Sequence, residues 1–412
     1  MTAVRSAAGS VLRERRTIGA LLAAAVFLGS WVVLDHGYYA HGRISDVGVY
    51  QGYGLEMRLG QVPYRDFGVE YPPGALPVFL APTYAGQPTD PVDYARWFAR
   101  LMAVCGLACL GFVVLARATA PAVAFVAISP LVVGQLMLTR FDLWPMVFVT
   151  GAIVAFLRDR HRLGWVALGW AFAVKLFPLV LVPLAVAWTF RRRGRGELVR
   201  GVALWLAAAA SVFIPFAILG PHGLWESVWG QLGRPLQIES LPASFLTTFG
   251  HPSLTVALNS VSVGGYHGLR VLTTSAQVAT LAALWVAFAR GPAEESRFVR
   301  YAAASVCAFV VFGKVLSPQY LIWLVPLIPL VHGRRGVAAT GLLAVAAIDT
   351  QFWFESHRYG LYETEFRYAW LVLARNLTLA AILATLVVPA VRVSGRPVAP
   401  PGAPGTPRRS RG

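Results

Sequence analysis

Long apolar runs separated by short polar breaks organise most of the chain. A bilayer core about 30 Å thick takes roughly 20 mainly apolar residues in a helix. Runs of that kind fall at 18–34, 97–116, 121–138, 143–157, 199–219, 271–289, 298–313, 316–331, 337–354 and 369–391. The first follows Arg13, Arg15 and Arg16 without a small-residue cleavage site, so it predicts a retained anchor with residues 1–17 in the cytoplasm.

The stretch 163–190 is flanked by arginines on both sides, Arg158 to Arg162 before it and Arg191 to Arg195 after it. A single straight crossing would put one cluster outside, against the preference of basic residues for the cytoplasmic side. A helical hairpin broken near Lys175 and Pro178 satisfies both clusters. Counting it as two limbs, the pattern predicts an all-α integral membrane protein of about 12 transmembrane helices over 18–391. Outer loops are expected at 35–96, 220–270 and 355–367, with both termini inside. The Pro-, Gly- and Arg-rich tail 392–412 is expected to be disordered in the cytoplasm.

Composition agrees. Only 13% of the residues are charged and 57% are apolar, with a mean hydropathy of +0.60; soluble domains carry about 25% charged residues. The net charge of +17 raises the question of a nucleic-acid partner. Assigned by side, however, the whole positive excess falls on the cytoplasmic face. It is an orientation signal, and no nucleic-acid partner is expected. Cys105, Cys109 and Cys307 lie in apolar runs and read as small buried hydrophobes. The histidines are scattered, so no protein-held metal is expected.

Acidic residues collect on the outer side. The first loop groups Asp46, Glu56, Asp66 and Glu70 among Tyr50, Tyr53, Tyr64, Tyr71, Arg58 and Arg65. Asp46 follows the first run closely and so sits near the membrane surface. A carboxylate there can take a proton from a hydroxyl, and aromatic neighbours suit sugar rings; acidic residues on an outer loop equally serve only to solvate it. After Pro72-Pro73, the apolar stretch to Tyr84 is too short to span, which predicts a segment that lies in the interface or dips and returns. The second loop offers Arg234, Gln237 and Glu239 for an acceptor sugar or headgroup. Arg140 and Asp142 flank one turn at the outer end of two runs and read as a structural ion pair that opens towards the same side.

Only two basic residues are lysines, Lys175 and Lys314, and both lie in or beside the apolar runs. A cation at membrane depth is costly and takes a partner. A phosphate suits it, as does a nearby carboxylate.

Several short motifs resemble glycosyltransferase family 87: Ser45-Asp46-Val47-Gly48-Val49-Tyr50, Tyr64-Arg65-Asp66-Phe67, Glu70-Tyr71-Pro72-Pro73-Gly74, Ala173-Val174-Lys175-Leu176-Phe177-Pro178, and Lys314 through Trp323. The last is also similar to a segment of the glycosylphosphatidylinositol mannosyltransferase catalytic subunits. The resemblance implies the GT-C fold and an inverting transfer of a sugar, mannose in that family, from a polyprenyl-phosphate donor. The acceptor would be a lipid or glycan at the outer face. Asp46 would be the general base, Lys175 and Lys314 the contacts to the donor phosphate, and Gln319 and Tyr320 the lining of the donor cavity. Tyr50, Arg65, Asp66, Glu70, Arg140, Asp142, Arg234, Gln237 and Glu239 remain for the acceptor or the loops around it. The chain departs from the pattern at Gln319-Tyr320, where many relatives carry a histidine, and at Ile44, where eukaryotic relatives place a second acid. One base and one or two cations suffice for this chemistry, so no cofactor is expected. The many spans and the broken hairpin also fit a lipid or solute transporter, although no internal repeat is visible.

Overall fold

The computed structural model describes the backbone of residues 2–37, 45–257, 260–362 and 368–388 and, of these, the side chains of 16–37, 45–256, 260–354 and 368–388. The expected disordered tail 392–412 and Ile44 lie outside these residues, as do 363–367 of the third expected loop.

The chain runs α1 (Thr2–His36), α2 (Val47–Arg58), α3 (Leu76–Leu80), α4 (Pro91–Leu115), α5 (Ala120–Val133), α6 (Leu136–Thr139), α7 (Leu143–Leu157), α8 (His161–Val174), α9 (Val182–Leu219) and α10 (Pro221–Gly233). There follow β1 (Leu236–Gln237), α11 (Leu241–Phe249), β2 (Leu254–Ala257), β3 (Ser260–Val263), α12 (His267–Arg290), α13 (Glu295–Val311), α14 (Leu321–Leu324), α15 (Gly333–Tyr362) and α16 (Ala369–Val387). Among the described residues, six helical stretches are long and apolar enough to cross a bilayer: 16–36, 91–115, 177–219, 267–290, 333–354 and 369–387. Shorter apolar segments at 120–133, 143–157 and 318–330 complete the bundle. The protein is a helical membrane protein; among the described residues, the second loop adds one small antiparallel sheet of order β1-β3-β2, which an all-α expectation did not include.

Local chemistry explains the boundaries. Asp90 caps α4 by accepting from the Val92 amide at 2.9 Å, with Pro91 in the first helical position. The expected run 121–138 is split at Gly134, whose φ of 75° a side chain would strain. The expected run 316–331 is not a continuous helix. It is two short 3-10 turns around α14, because Pro318, Pro326 and Pro329 remove the amides a helix needs. Its residues 321–325 are buried inside the protein. The segment after Pro72-Pro73 likewise forms short turns around α3, with Ala75, Phe79 and Thr83 fully buried against protein.

The reversal expected in 163–190 falls between α8 and α9. α8 ends at Val174, and a 3-10 turn over Phe177–Leu181 leads back. His161 and Trp165 meet Thr189 at 3.1 and 3.2 Å, so the first limb of α9 runs antiparallel to α8. At Gly194 (φ 80°) α9 folds again, and its second limb runs alongside α8, with Arg162 paired to Glu197 at 2.8 Å and the backbone of Trp205 close against Gly169. As one straight rod, the stretch 177–219 would measure about 65 Å, roughly twice a bilayer core. The fold at Gly194 resolves that excess. Arg193 pairs with Asp159 at 3.3 Å, which brings the two arginine clusters to one end of the bundle.

Candidate active site

The site is assembled where the start of α2, the turn between α6 and α7, the break after α8, and the 3-10 turn at Pro318–Tyr320 meet. Ser45 Oγ accepts the Val47 amide at 3.0 Å and so satisfies the open end of α2. Asp46, the N-cap residue, makes no side-chain cap bond, and its half-buried carboxylate is paired with the buried guanidinium of Arg140.

Two residues beyond Arg140, the fully buried Asp142 meets Lys175 Nζ at 2.6 Å and accepts the Trp323 indole N–H, also at 2.6 Å, on the same oxygen. Asp142 Oδ2 is buried without a hydrogen-bond partner among the described residues. The expected Arg140–Asp142 pair is thus replaced by two pairs across different elements, Asp46–Arg140 and Asp142–Lys175. The reason is backbone geometry: Arg140 is extended, and Asp142 starts α7 facing the break after α8.

Lys175 stands in an aromatic enclosure. Its Nζ lies 4.6 Å from the centre of the Phe141 ring, 5.1 Å from Trp323 and 5.7 Å from Tyr320. Trp323 is itself sandwiched, with Phe177 at 3.9 Å and Tyr320 at 4.0 Å, both stacked. A Lys ammonium has three N–H donors, so the bond to Asp142 leaves two. Arg140 and Arg234 lie within electrostatic reach of Lys175, and Arg234, Asp142 and Glu239 within reach of Tyr320. Arg234 approaches Glu70 to 3.8 Å. The outcome is a compact arrangement of three cations and several carboxylates walled by aromatic rings.

The turn Glu70-Tyr71-Pro72-Pro73-Gly74 closes it. A Cβ on Gly74 would lie 2.6 Å from the Ala173 carbonyl oxygen, two residues before Lys175. Only glycine permits that approach, and the Gly74 carbonyl accepts the Trp144 indole N–H at 2.9 Å.

A model of glycosyltransferase family 87 matches residues 70–318. The chain belongs to glycosyltransferase family 87. That membership makes it a glycosyltransferase and sets aside the transporter reading. The match takes in Arg140, Asp142, Lys175, Arg234 and Lys314, while Asp46 precedes it and Tyr320 follows it. The crystal structure of ArnT from Cupriavidus metallidurans bound to undecaprenyl phosphate is similar, with a TM-score of 0.50 and 17% identity, over 89% of this chain and 76% of that one. The likeness shows the GT-C fold. No curated protein matches.

Other residues expected at the site of this family 87 protein lie differently. Lys314 donates to the Leu232 carbonyl at 2.5 Å, at the end of α10, and its own carbonyl accepts the Gln237 amide at 2.9 Å. Gln319 accepts from Ser317 Oγ. Gln237 is buried in β1, and Glu239 is buried just after it. Tyr50 is buried in an aromatic group, stacked on Phe79 at 4.6 Å and edge-on to Phe141 at 5.7 Å. Arg65 and Asp66 pair with each other at 2.9 Å on the surface. Arg65 and the Val62 amide hold the Asp66 carboxyl down at about 2. Their turn lines an open depression of about 420 Å³ with Gly220, His222 and Glu226 at the start of α10.

Phe141 and the Trp323 N–H are not marked in the sequence, because their roles depend on neighbours far away in the chain. Arg375 and Asn376 are buried as well, and a charge within an apolar run is the signal in the sequence that marks them.

Proposed function

We propose that this glycosyltransferase moves a sugar, mannose, from a polyprenyl-phosphate donor to a lipid or glycan acceptor on the extracytoplasmic face, with inversion at the transferred carbon. The observation that carries this reading is the convergence of Asp46 and Lys175 on the two ends of Arg140-Phe141-Asp142. A carboxylate and a cation are set apart by three residues of backbone, as a displacement with base and leaving group on opposite sides requires. The ArnT structure, bound to undecaprenyl phosphate, supports the donor class, and the charge asymmetry expected from the positive-inside preference supports the face.

Asp46 accepts the proton of the acceptor hydroxyl as its oxygen attacks the sugar carbon. The bond from that carbon to the phosphate oxygen breaks, and the departing phosphate is stabilised by Lys175 with Arg140 and Arg234 near it. Asp142 holds Lys175 in place before the donor arrives, and Tyr320 and Trp323 wall the donor side. Lys314, hydrogen-bonded to Leu232 at the end of α10, supports that end of the second loop.

The test is transfer in membranes supplied with a panel of radiolabelled polyprenyl-phosphate sugars. Asp46→Asn that folds normally is expected to lose about 10²- to 10⁴-fold in rate. A wild-type rate in that variant sinks the base assignment, and label arriving only from another donor sugar sinks mannose.

A further inference from the structure

α16 is an apolar helix, yet near its middle it carries Arg375 and Asn376, both fully buried. A buried charge at this depth is costly and persists where it holds something. Arg375 Nη2 donates to the Glu239 carbonyl at 2.8 Å, and Asn376 Nδ2 donates to the same oxygen at 3.1 Å. Asn376 also reaches Ser244 Oγ at 3.0 Å and accepts from Arg375 Nε at 3.0 Å. The Trp353 ring lies 5.3 Å from the guanidinium, the carboxylates of Glu239 and Asp349 lie within electrostatic reach of it, and Arg375 Nη1 is buried without a hydrogen-bond partner among the described residues.

Both lone pairs of one carbonyl are therefore held by the last helix. That carbonyl belongs to the segment 234–240, whose first residue, Arg234, lies within electrostatic reach of Lys175 and Tyr320. The amide of Gln237 is bonded to the Lys314 carbonyl and that of Ile238 to Val261, so the segment is held along its middle by backbone and at its far end by α16.

We infer that Arg375 and Asn376 are positioning residues for the transfer: by gripping the Glu239 carbonyl they set the 234–240 segment so that Arg234 stands at the donor phosphate. The grip itself is independent of substrate; its consequence for the donor rests on the function proposed above. A guanidinium and an amide on one acceptor fix both position and direction of the segment, which a single bond does not.

Two measurements on the full-length protein in membranes test it. Cys105, Cys109 and Cys307 are buried, so a cysteine replacing Arg234 reports by its rate of reaction with a water-soluble thiol reagent. Arg375→Gln is expected to raise that rate about tenfold, as a local opening made tenfold more frequent would, while a control cysteine replacing Ser227 on α10 keeps its rate. If both rates rise together, or neither does, the positioning role is wrong.

The second measurement is donor KM. Arg375→Gln is expected to raise it about tenfold with kcat little changed, Arg375→Lys to recover part of the loss, and Arg375→Gln to add nothing in an Arg234→Ala background. Independent, multiplying effects overturn the link between the grip and Arg234. Should Arg375→Gln not fold, Asn376→Ala, which keeps the charge and removes one of the two donors, carries both tests with smaller changes of the same sign. A wild-type protein that transfers from no polyprenyl-phosphate sugar would refute the proposed function, and the labelling rates would still decide the grip.

Discussion

Lys175 and Asp142 are the residues on which stability and activity separate most clearly. An ion pair this buried loses much of what it gains in attraction to the cost of leaving water, whereas removing one partner strands the other charge. Lys175→Met is therefore expected to destabilise the protein by about 3–5 kcal/mol, read as a lower unfolding midpoint in detergent. The double variant Lys175→Met/Asp142→Leu should regain most of that stability and none of the transfer. If the double variant is active, Lys175 serves the fold and has no part in holding a phosphate. Asp46 differs in kind, because its carboxylate is half-exposed and Ser45 does the capping that an N-cap aspartate usually does. That division leaves the carboxylate turned towards Arg140 and solvent, as a base needs.

Among the elements, the contact between the Pro-Pro-Gly turn and the end of α8 is the most sensitive. The Gly74 Cα lies against the Ala173 carbonyl, and that carbonyl cannot move without carrying Lys175 with it. Gly74→Ala is expected to lower transfer at least tenfold while costing about 1–3 kcal/mol as overpacking, measured as kcat and unfolding midpoint side by side; unchanged kcat would mean the turn and Lys175 are not coupled. The turn itself was legible, since Pro72-Pro73 dictates an extended entry and a glycine follows. Its docking partner was not, because nothing local in 70–74 encodes the end of α8. The run 316–331 shows the opposite limit: hydropathy alone reads it as a span, but its three prolines break it into turns whose backbone is buried in protein.

For the molecule as a whole, the folds at Lys175 and Gly194 bring both arginine clusters to one end of the bundle. Single cysteines replacing Arg160 and Arg193 should therefore react with impermeant reagents from the same side, the cytoplasmic one by the positive-inside preference. Reaction of one from each side would contradict the hairpin, and reaction of both from outside would invert the orientation and move Asp46 to the cytoplasm. The small sheet of the second loop and α11 form a minor core of their own around Leu236, Ala243 and Val263, so the stretch that follows Arg234 is folded.

Composition and hydropathy by themselves determined a helical membrane protein and the reversal near Lys175, because burial in lipid and helix breaking act over short stretches of chain. Asp46, Lys175 and Tyr320 could be singled out in the sequence, as could the lysines against the arginine background. Which charge pairs with which was decided only by the tertiary structure. Arg140 and Asp142 are neighbours in the chain and yet serve Asp46 and Lys175, Lys314 turns to α10, and Arg375 reaches across from the last helix to Glu239. In a medium of low dielectric an ion's partner is set by the distance between side chains after the helices have packed, and that distance has no counterpart in sequence spacing.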